Sequence, residues 1–223
     1  MRLYSLLLAG AAVTASTAAN ATVTVYTSLA AFTAATSAQG TDTFNNLTPG
    51  AQLAASLNRT AGAYSYTVSD SATVLYGAGS AGDPWLSNDT NAAQIIFNNF
   101  SSGVSAIGAN FFGSDFSGAF VAAPLGLTVT VTDASGTVSQ SLISPTTSTF
   151  LGFVSTGGLS QLTVQATVPS SSYWATVNNL VLAQRAATGA VPETATWAMM
   201  LVGFGMMGAA IRYRRRGTTV RYA

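Results

Sequence analysis

The sequence predicts an all-β fold, an antiparallel β-sandwich of jelly-roll type with one short N-terminal helix. Two observations support this prediction. About ten short runs rich in Val, Thr, Phe and Tyr recur along the chain, and Gly, Pro, Asn, Asp and Ser separate them. Only one short segment before them has a helical pattern, so the strands are expected to pack as two sheets around one core.

The elements follow in chain order. Thr22–Tyr26 alternates as a strand does, and Ser28 is expected to cap a short helix that ends at Ala35. Asp133-Ala134-Ser135-Gly136 lies between two alternating runs and is typical of a hairpin turn. Further strands are predicted over Thr41–Leu47, Tyr64–Ser69, Thr73–Tyr76, Ala93–Asn98, Val104–Phe112, Leu127–Thr132, Thr137–Ile143, Thr149–Val154, Leu162–Val168 and Tyr173–Leu182.

The N-terminal residues 1–21 are predicted to be a secretory signal peptide. Met1-Arg2 is a positive start, Leu3–Ala15 is an apolar stretch, and Ala19-Asn20-Ala21 is a small-x-small cleavage site. A first membrane helix is the disfavoured alternative, because the apolar stretch is short and rich in Ala, Thr and Ser. The predicted β-sandwich body then covers residues 22–182, and 183–190 form a short linker.

The C-terminal part of the chain has the pattern of a membrane anchor. Residues 195–211 carry no charge, and Trp197 lies near the start of this run. Charged side chains are costly in hydrocarbon and indoles favour the interface, so a transmembrane helix over 195–211 is expected, with 217–223 as a cytoplasmic tail. A buried core helix is the alternative, and the basic cluster argues against it. Its members are Arg212, Arg214, Arg215 and Arg216.

Residues 191–216 resemble the PEP-CTERM sorting signal in its Val-Pro-Glu-Pro-x-x-Trp-Ala form. The chain departs from the pattern at Thr194, where the signal has a second proline, and it matches at Val191, Pro192, Glu193, Trp197 and Ala198. The resemblance implies a Gram-negative host that makes exopolysaccharide. It also implies exosortase, a membrane protease-transpeptidase, as the partner that recognises the motif. The body would be periplasmic and held at the inner membrane, then reach the cell surface or the medium after processing.

The charge of the body excludes one class of partner. Between the two ends, two arginines stand against six aspartates, so the net charge is about −4, and the chain has no lysine. Nucleic-acid binding depends on neutralising phosphates with basic side chains, so no nucleic-acid partner is expected. The chain also has no cysteine, hence no disulfide.

The residue inventory argues against an enzyme. His, Cys and Lys are absent and the single glutamate is Glu193, so Ser-His-Asp, Cys-His and Schiff-base chemistry have no candidate residues. No catalytic residue, metal site or cofactor is therefore predicted. The alternative is a glycan-processing enzyme that pairs aspartates, such as Asp83 with Asp89 or Asp115.

A softer resemblance concerns the body. It looks like the exported bodies commonly attached to this sorting signal, which resemble carbohydrate-binding jelly rolls with a structural calcium. The segments that carry it are Thr27–Phe32, Thr43–Leu47, Ala106–Phe112, Phe150–Val154 and Ala175–Leu180. Amides stand where the resemblance implies acidic calcium ligands, and calcium prefers some negative charge. We therefore favour the reading that these amides stabilise turns. They are Asn45, Asn46, Asn178 and Asn179.

One predicted loop, Tyr76–Thr90, is a candidate sugar site. It places Trp85 among Asp83, Asn88 and Asp89, and an indole beside such acceptors can stack on a sugar ring and bind its hydroxyls. The alternative is that Trp85 fills the end of the sandwich. The sequence thus favours a non-enzymatic envelope or matrix protein associated with exopolysaccharide. Besides the enzyme, a protein adhesin without sugar affinity stays open.

Overall fold

The computed structural model describes residues 22–122, 124–168, 172–187 and 194–214, with side chains for all of these except 194–196 and 214. They belong to two compact units, one up to residue 186 and one from residue 187 onwards. Several predicted features lie outside the described residues. They are the signal peptide (1–21), the motif residues Val191, Pro192 and Glu193, Arg215, Arg216 and the tail 217–223.

The described chain is mostly β-structure in two antiparallel sheets. Sheet A has the strand order β1-β11-β8-β13-β6-β5, with β2 also paired to β13, and sheet B has the order β10-β9-β12-β7-β4-β3. The elements are β1 Val23–Tyr26, α1 Leu29–Ala34, β2 Thr36–Asp42, β3 Ser56–Ala61, β4 Tyr64–Asp70, β5 Leu75–Ser80, β6 Asp83–Asn88, β7 Ile95–Asn98, β8 Ala106–Ser114, β9 Gly126–Asp133, β10 Gly136–Ile143, β11 Phe150–Ser155, β12 Leu159–Ala166, β13 Trp174–Arg185 and α2 Thr194–Arg214.

The two sheets share one hydrophobic core. In β9, Leu127, Val129 and Val131 are fully buried while the residues between them are only half-buried, as the period of two in a strand requires. Strands of both sheets contribute to the same cluster. Its largest fully buried members include Tyr66, Phe97, Phe111, Phe153 and Tyr173.

The short helix α1 covers part of the outer face of sheet A. Ser28 caps it, since its Oγ accepts a hydrogen bond from the Ala31 amide at 3.3 Å. Phe32 is fully buried against Phe150, with ring centroids 5.5 Å apart. Gly152 permits this contact, because a Cβ there would lie 2.5 Å from the Phe32 ring. The predicted helix and its cap are confirmed.

The strand predicted over Thr41–Leu47 is wrong in its position. β2 begins earlier and ends at Asp42, whose Oδ1 accepts a hydrogen bond from the Phe44 amide at 2.9 Å. Phe44 adopts a positive φ of 58°, so the chain turns instead of continuing as a strand. The carboxylate that ends the strand outweighs the strand propensity of the following residues.

Two strands were not predicted, β3 and β6. β3 is an edge strand whose residues are mostly polar, so its sequence lacks a clear apolar face. β6 lies inside the segment Tyr76–Thr90 that was predicted to be a loop, and it pairs with β5 as a hairpin in which Ser80 lies opposite Asp83. β13 also continues to Arg185, three residues into the predicted linker.

The C-terminal unit contains the helix α2, so the helix predicted over residues 195–211 is confirmed as a helix. Its apolar side chains are exposed along its length, among them Trp197, Leu201, Phe204 and Ile211. Among the residues whose side chains are described, no helix combines the length and the hydropathy expected of a membrane span. The membrane-spanning role of 195–211 stays a prediction.

Candidate functional site

The outer face of sheet A carries a small cavity of about 140 Å³ with three aromatic residues in its lining. Leu86 and Ala175 point into the core, so their neighbours Ser87 and Trp174 lie on the outer face. We call this cavity the aromatic pocket. Its lining residues are Tyr76, Ser87, Asn88, Asp89, Asp115, Phe116 and Trp174.

Trp174 lines the aromatic pocket, and a hydrogen bond holds its ring in place. It begins β13 opposite Ser114 and is half-buried. Its indole Nε1 donates a hydrogen bond to the Asp89 carbonyl oxygen at 3.1 Å. This bond ties the ring to the end of β6, so the orientation of the indole is set before any ligand arrives.

Phe116 also lines the aromatic pocket and is exposed, with 79% of its surface accessible. It lies in a turn organised by Asp115, whose Oδ1 accepts bonds from the Ser117 amide at 2.9 Å, the Ser117 hydroxyl at 2.7 Å and the Ala119 amide at 2.9 Å. These bonds, that of the Ser117 hydroxyl foremost, hold the pKa of Asp115 below its usual value. The turn therefore presents an exposed ring next to an ionised carboxylate.

The aromatic pocket has acceptors available to a ligand. Asp89 Oδ1 accepts one bond, from Gln52 Nε2 at 3.2 Å. Within the described part of the chain, Oδ2 of Asp89 and Oδ2 of Asp115 have no hydrogen-bond partner. No basic residue lines the cavity. Rings that can stack, together with free carboxylate oxygens and no cation, match a hydroxyl-bearing ligand and disfavour an anionic one.

Below the cavity, three buried hydroxyls bond to one another and to the backbone. Ser114 and Thr176 are 2.8 Å apart between their oxygens, and Thr176 lies 3.3 Å from Ser87 Oγ. Ser87 Oγ donates to the Ala175 carbonyl at 2.8 Å. These groups connect three neighbouring strands, so the floor of the pocket is rigid.

The four residues predicted as a sugar site do not come together. Asn88 and Asp89 line the aromatic pocket, whereas Asp83 and Trp85 do not. Asn88 is buried and uses its Nδ2 to bond the Thr90 and Ala93 carbonyls at 2.6 and 3.0 Å, so it stabilises the turn that follows the strand. Asp83 begins β6, five residues and roughly 17 Å along the strand from Asn88, which is more than a single sugar contact spans.

The prediction that Trp85 lies in a loop is wrong. Trp85 is in β6 and packs edge-on against Phe112, with ring centroids 4.8 Å apart and an interplanar angle of 88°. It is half-buried, and its Nε1 is buried without a hydrogen-bond partner. Asp83 accepts a bond from Asn178 Nδ2 at 3.1 Å. Binding of sugar by Asp83 and Trp85 stays a prediction.

The asparagines considered for calcium take part in two different hydrogen-bonded groups. Asn46 accepts from Arg59 at 2.8 Å, beside Asn45 in a larger cavity. Asn178 and Asn179 lie at a bulge in β13, where Asn179 has a positive φ of 52° and donates to Asn110 at 3.3 Å. Among the residues searched, all of them within the described ranges, no group of three or more His, Cys, Asp or Glu side chains is present.

The larger cavity, about 430 Å³, is polar and surrounds an ion pair that the sequence analysis missed. We call it the polar pocket; its lining residues are Asp42, Thr43, Asn45, Asn46, Asn58, Arg59 and Thr60. Asp42 accepts from Arg59 Nε at 2.7 Å, Arg59 Nη2 at 2.8 Å, the Tyr66 hydroxyl at 2.7 Å and the Phe44 amide. The charges of the polar pocket are thus compensated within the protein.

The pKa shifts around Asp42 follow from this network. Burial alone would raise the pKa of Asp42, but the bonds from Arg59, Tyr66 and Phe44 outweigh it and lower the pKa. Burial and the charge of Asp42 raise the pKa of Tyr66, so its hydroxyl stays a donor. The signal in the sequence was a lone arginine and a lone aspartate in two segments that otherwise carry no charge.

Neither a protein-family model nor a curated protein matches this chain.

Proposed function

We propose that this chain is an exported, non-enzymatic β-sandwich protein of jelly-roll type that binds a neutral exopolysaccharide in the aromatic pocket. The observation that carries the proposal is the grouping of three aromatic residues with the carboxylates of Asp89 and Asp115 around one cavity. The sites of ligand contact would be Trp174, Tyr76 and Phe116 for the sugar faces, and the two aspartates for the hydroxyls.

The size and charge of the pocket narrow the ligand class. Cavities that enclose a drug-sized ligand are about 300–1,000 Å³, so 140 Å³ fits a single sugar residue of a longer chain that continues over the surface. Two carboxylates without a nearby cation repel uronic acids and sulfated or phosphorylated sugars. Neutral or amino-substituted polysaccharides are therefore the proposed partners, in a body whose net charge is about −4.

The lowered pKa of Asp115 bears on whether the pocket could hydrolyse a sugar chain. A glycosidase needs one carboxyl group with a raised pKa as its general acid. The bonds to Asp115 lower its pKa, so it is a poor proton donor at neutral pH. This argues against Asp115 as the general acid of a glycosidase, while release of reducing ends from the polysaccharide would support the enzyme.

The proposal includes export and sorting, which rest on the sequence of the two ends. We propose that residues 1–21 direct export and that exosortase recognises the segment from Val191 to Trp197. Exposed apolar side chains along α2, followed by arginines, support retention of the unprocessed chain at the inner membrane. In this scheme the body is periplasmic and reaches the surface or matrix after cleavage.

Affinity electrophoresis of the exported protein in gels that contain the host's exopolysaccharide tests the binding site. Trp174→Ala is expected to lower the affinity measured from the retardation by about 30-fold, which corresponds to losing roughly 2 kcal/mol at an aromatic hot spot. Trp85→Ala is the matched control, a half-buried tryptophan on the same sheet that lies outside the pocket. Loss of binding in Trp85→Ala but not in Trp174→Ala would move the site to Trp85. No retardation of the wild type would favour the adhesin.

Intact mass of the protein from its native host tests the sorting proposal separately. The wild type is expected to lack the C-terminal apolar segment, and Glu193→Ala is expected to retain it. A wild type that keeps the segment would show that Thr194 blocks processing. A reporter fused after Ala223 is expected to be active in the cytoplasm, and activity confined to the periplasm would reverse the proposed topology.

A further inference from the structure

The strand β10 forms one edge of sheet B and pairs only with β9 in the described part of the chain. It is joined to β9 by a two-residue turn, because Asp133 lies opposite Gly136. Asp133 stabilises this turn through bonds from the Ser135 amide at 2.7 Å and the Ser155 hydroxyl at 2.6 Å. β10 is therefore held firmly on one side and open on the other.

A backbone hydrogen bond just after β10 shows which residues of this strand bond to β9. The Ser144 amide donates to the Leu125 carbonyl at 3.0 Å, and this pair continues the register in which Gln140 lies opposite Val129. Since every second residue of an antiparallel strand bonds to the same neighbour, the even-numbered residues of β10 bond to β9. The backbone groups of the odd-numbered residues point away from the sheet. These are Thr137, Ser139, Ser141 and Ile143.

The open side of β10 lacks the features that normally protect an edge strand. It runs for eight residues without a charge or a proline, and its odd-numbered side chains are exposed, including Ile143 at 85%. Two other edge strands are protected. The amides of Gly77 and Gly79 in β5 bond to Ala51 and Gly118, each at 2.9 Å. The edge strand β3 carries the inward charge of Arg59.

We propose that β10 pairs antiparallel with β10 of a second copy of this chain, so that sheet B continues across a two-fold axis. A two-fold axis at Gln140 gives every open backbone N–H and C=O group of β10 a hydrogen-bond partner. It sets Thr137 opposite Ile143 of the second copy and Ser139 opposite Ser141. The pair is isologous, as a two-fold interface must be. The strand carries no charge, so the net charge of the body does not oppose the contact locally. This pairing does not depend on glycan binding.

A disulfide trap tests the register in the full-length chain, which has no cysteine of its own. In the proposed pair, the two Gln140 residues form a non-hydrogen-bonded pair with Cα atoms about 4.5 Å apart, within the range of a disulfide. Gln140→Cys is expected to give a covalent dimer on mild oxidation. Thr137→Cys is the matched control, because its two copies would lie six residues out of register, roughly 20 Å apart. Equal cross-linking of the two variants would overturn the proposal.

Sedimentation velocity of the full-length chain in detergent tests the interface without cross-linking. Ser139→Lys places two like charges near the axis and is expected to weaken the dimer by about fivefold. Thr163→Lys carries the same substitution on the outer face of β12, an inner strand of sheet B, and is expected to leave the dimer intact. Association through α2 would be the same in both variants. A monomeric wild type, or a dimer that Ser139→Lys does not weaken, would contradict the proposal.

Discussion

Arg59 and Asp42 form a bidentate ion pair, in which Nε lies 2.7 Å from Oδ2 and Nη2 lies 2.8 Å from Oδ1. Their side chains are only 10% and 8% exposed. The guanidinium also lies over the ring of Phe44, with Cζ 5.0 Å from the centroid. Because Phe44 has a positive φ, the pair holds a turn that the backbone alone would not favour.

Removing one partner of this pair is expected to destabilise the body strongly. Arg59→Ala leaves the Asp42 carboxylate buried without its counterion, and losses of about 3 kcal/mol are typical of such sites. Arg185→Ala is the matched control, since Arg185 is exposed, and its effect should stay within about 0.5 kcal/mol. Urea unfolding followed by fluorescence measures both. Similar losses in the two variants would show that the ion pair does not hold the turn.

The lowered pKa of Asp42 predicts a loss of stability in acid. A carboxyl group whose pKa is lower in the folded state stabilises the protein above its unfolded pKa, about 3.9, and this contribution is lost as the pH falls through the folded pKa. The free energy of unfolding should therefore fall below about pH 4. Asp42→Asn should be less stable at pH 7, and its free energy of unfolding should fall less steeply in acid. The decrease that remains is expected to come from Asp115 and Asp133, whose pKa values are also lowered. Urea unfolding at a series of pH values measures the two slopes; equal slopes would exclude Asp42 as a contributor.

Trp85→Ala is expected to reduce stability and leave glycan binding unchanged. The indole packs edge-on against Phe112, and truncating this half-buried aromatic side chain is expected to cost about 2 kcal/mol, less than the loss of a fully buried one. For a body of this size, the melting temperature should fall by about 4–8 °C. A thermal melt beside affinity electrophoresis separates the two effects. An unchanged melt with lost binding would favour the sugar site first predicted around Trp85.

Gly113→Ala is expected to destabilise the sheet next to the aromatic pocket. A Cβ at Gly113 would lie 2.0 Å from the ring of Tyr173, which is fully buried and cannot move aside. Overpacking of this kind costs about 1–3 kcal/mol. Gly82→Ala is the control, because a Cβ there meets nothing within 4 Å, and its melting temperature should match the wild type. If the melts of the two variants coincide, Tyr173 does not pack over Gly113 as described.

Much of the sheet structure could be predicted from the sequence because its strands have one clear apolar face. β9 and β10 alternate regularly and are joined by the predicted turn, so their bounds shift by one residue at most. β3 and β6 could not be predicted, since an edge strand with few apolar residues and a strand that contains Asp83-Pro84 resemble loops. Their pairing is decided by neighbours that are distant in sequence.

The candidate site was only partly predictable for the same reason. Asn88 and Asp89 were identified because they follow a tryptophan in sequence, yet the tryptophan of the pocket is Trp174, 85 residues further along the chain than Asp89. Asp115 and Phe116 come from a third segment. A cavity that joins three distant segments leaves no local spacing in the sequence. Short-range patterns detect turns and caps, which depend on residues close to one another in the chain.

The position of β13 has a consequence for how the body is made. It is the last strand of the body, but it lies inside sheet A, with β8 on one side and β6 and β2 on the other. A chain synthesised from its N-terminus at about 5–20 residues per second therefore has no finished sheet A until residue 185 has been added. Its pairings link distant residues, which makes folding slow. Sheet A should therefore close in one late step, whereas all strands of sheet B are already present at Ala166. Until the final strand arrives, the unpaired strands of sheet A are expected to need protection from proteases and from other nascent copies.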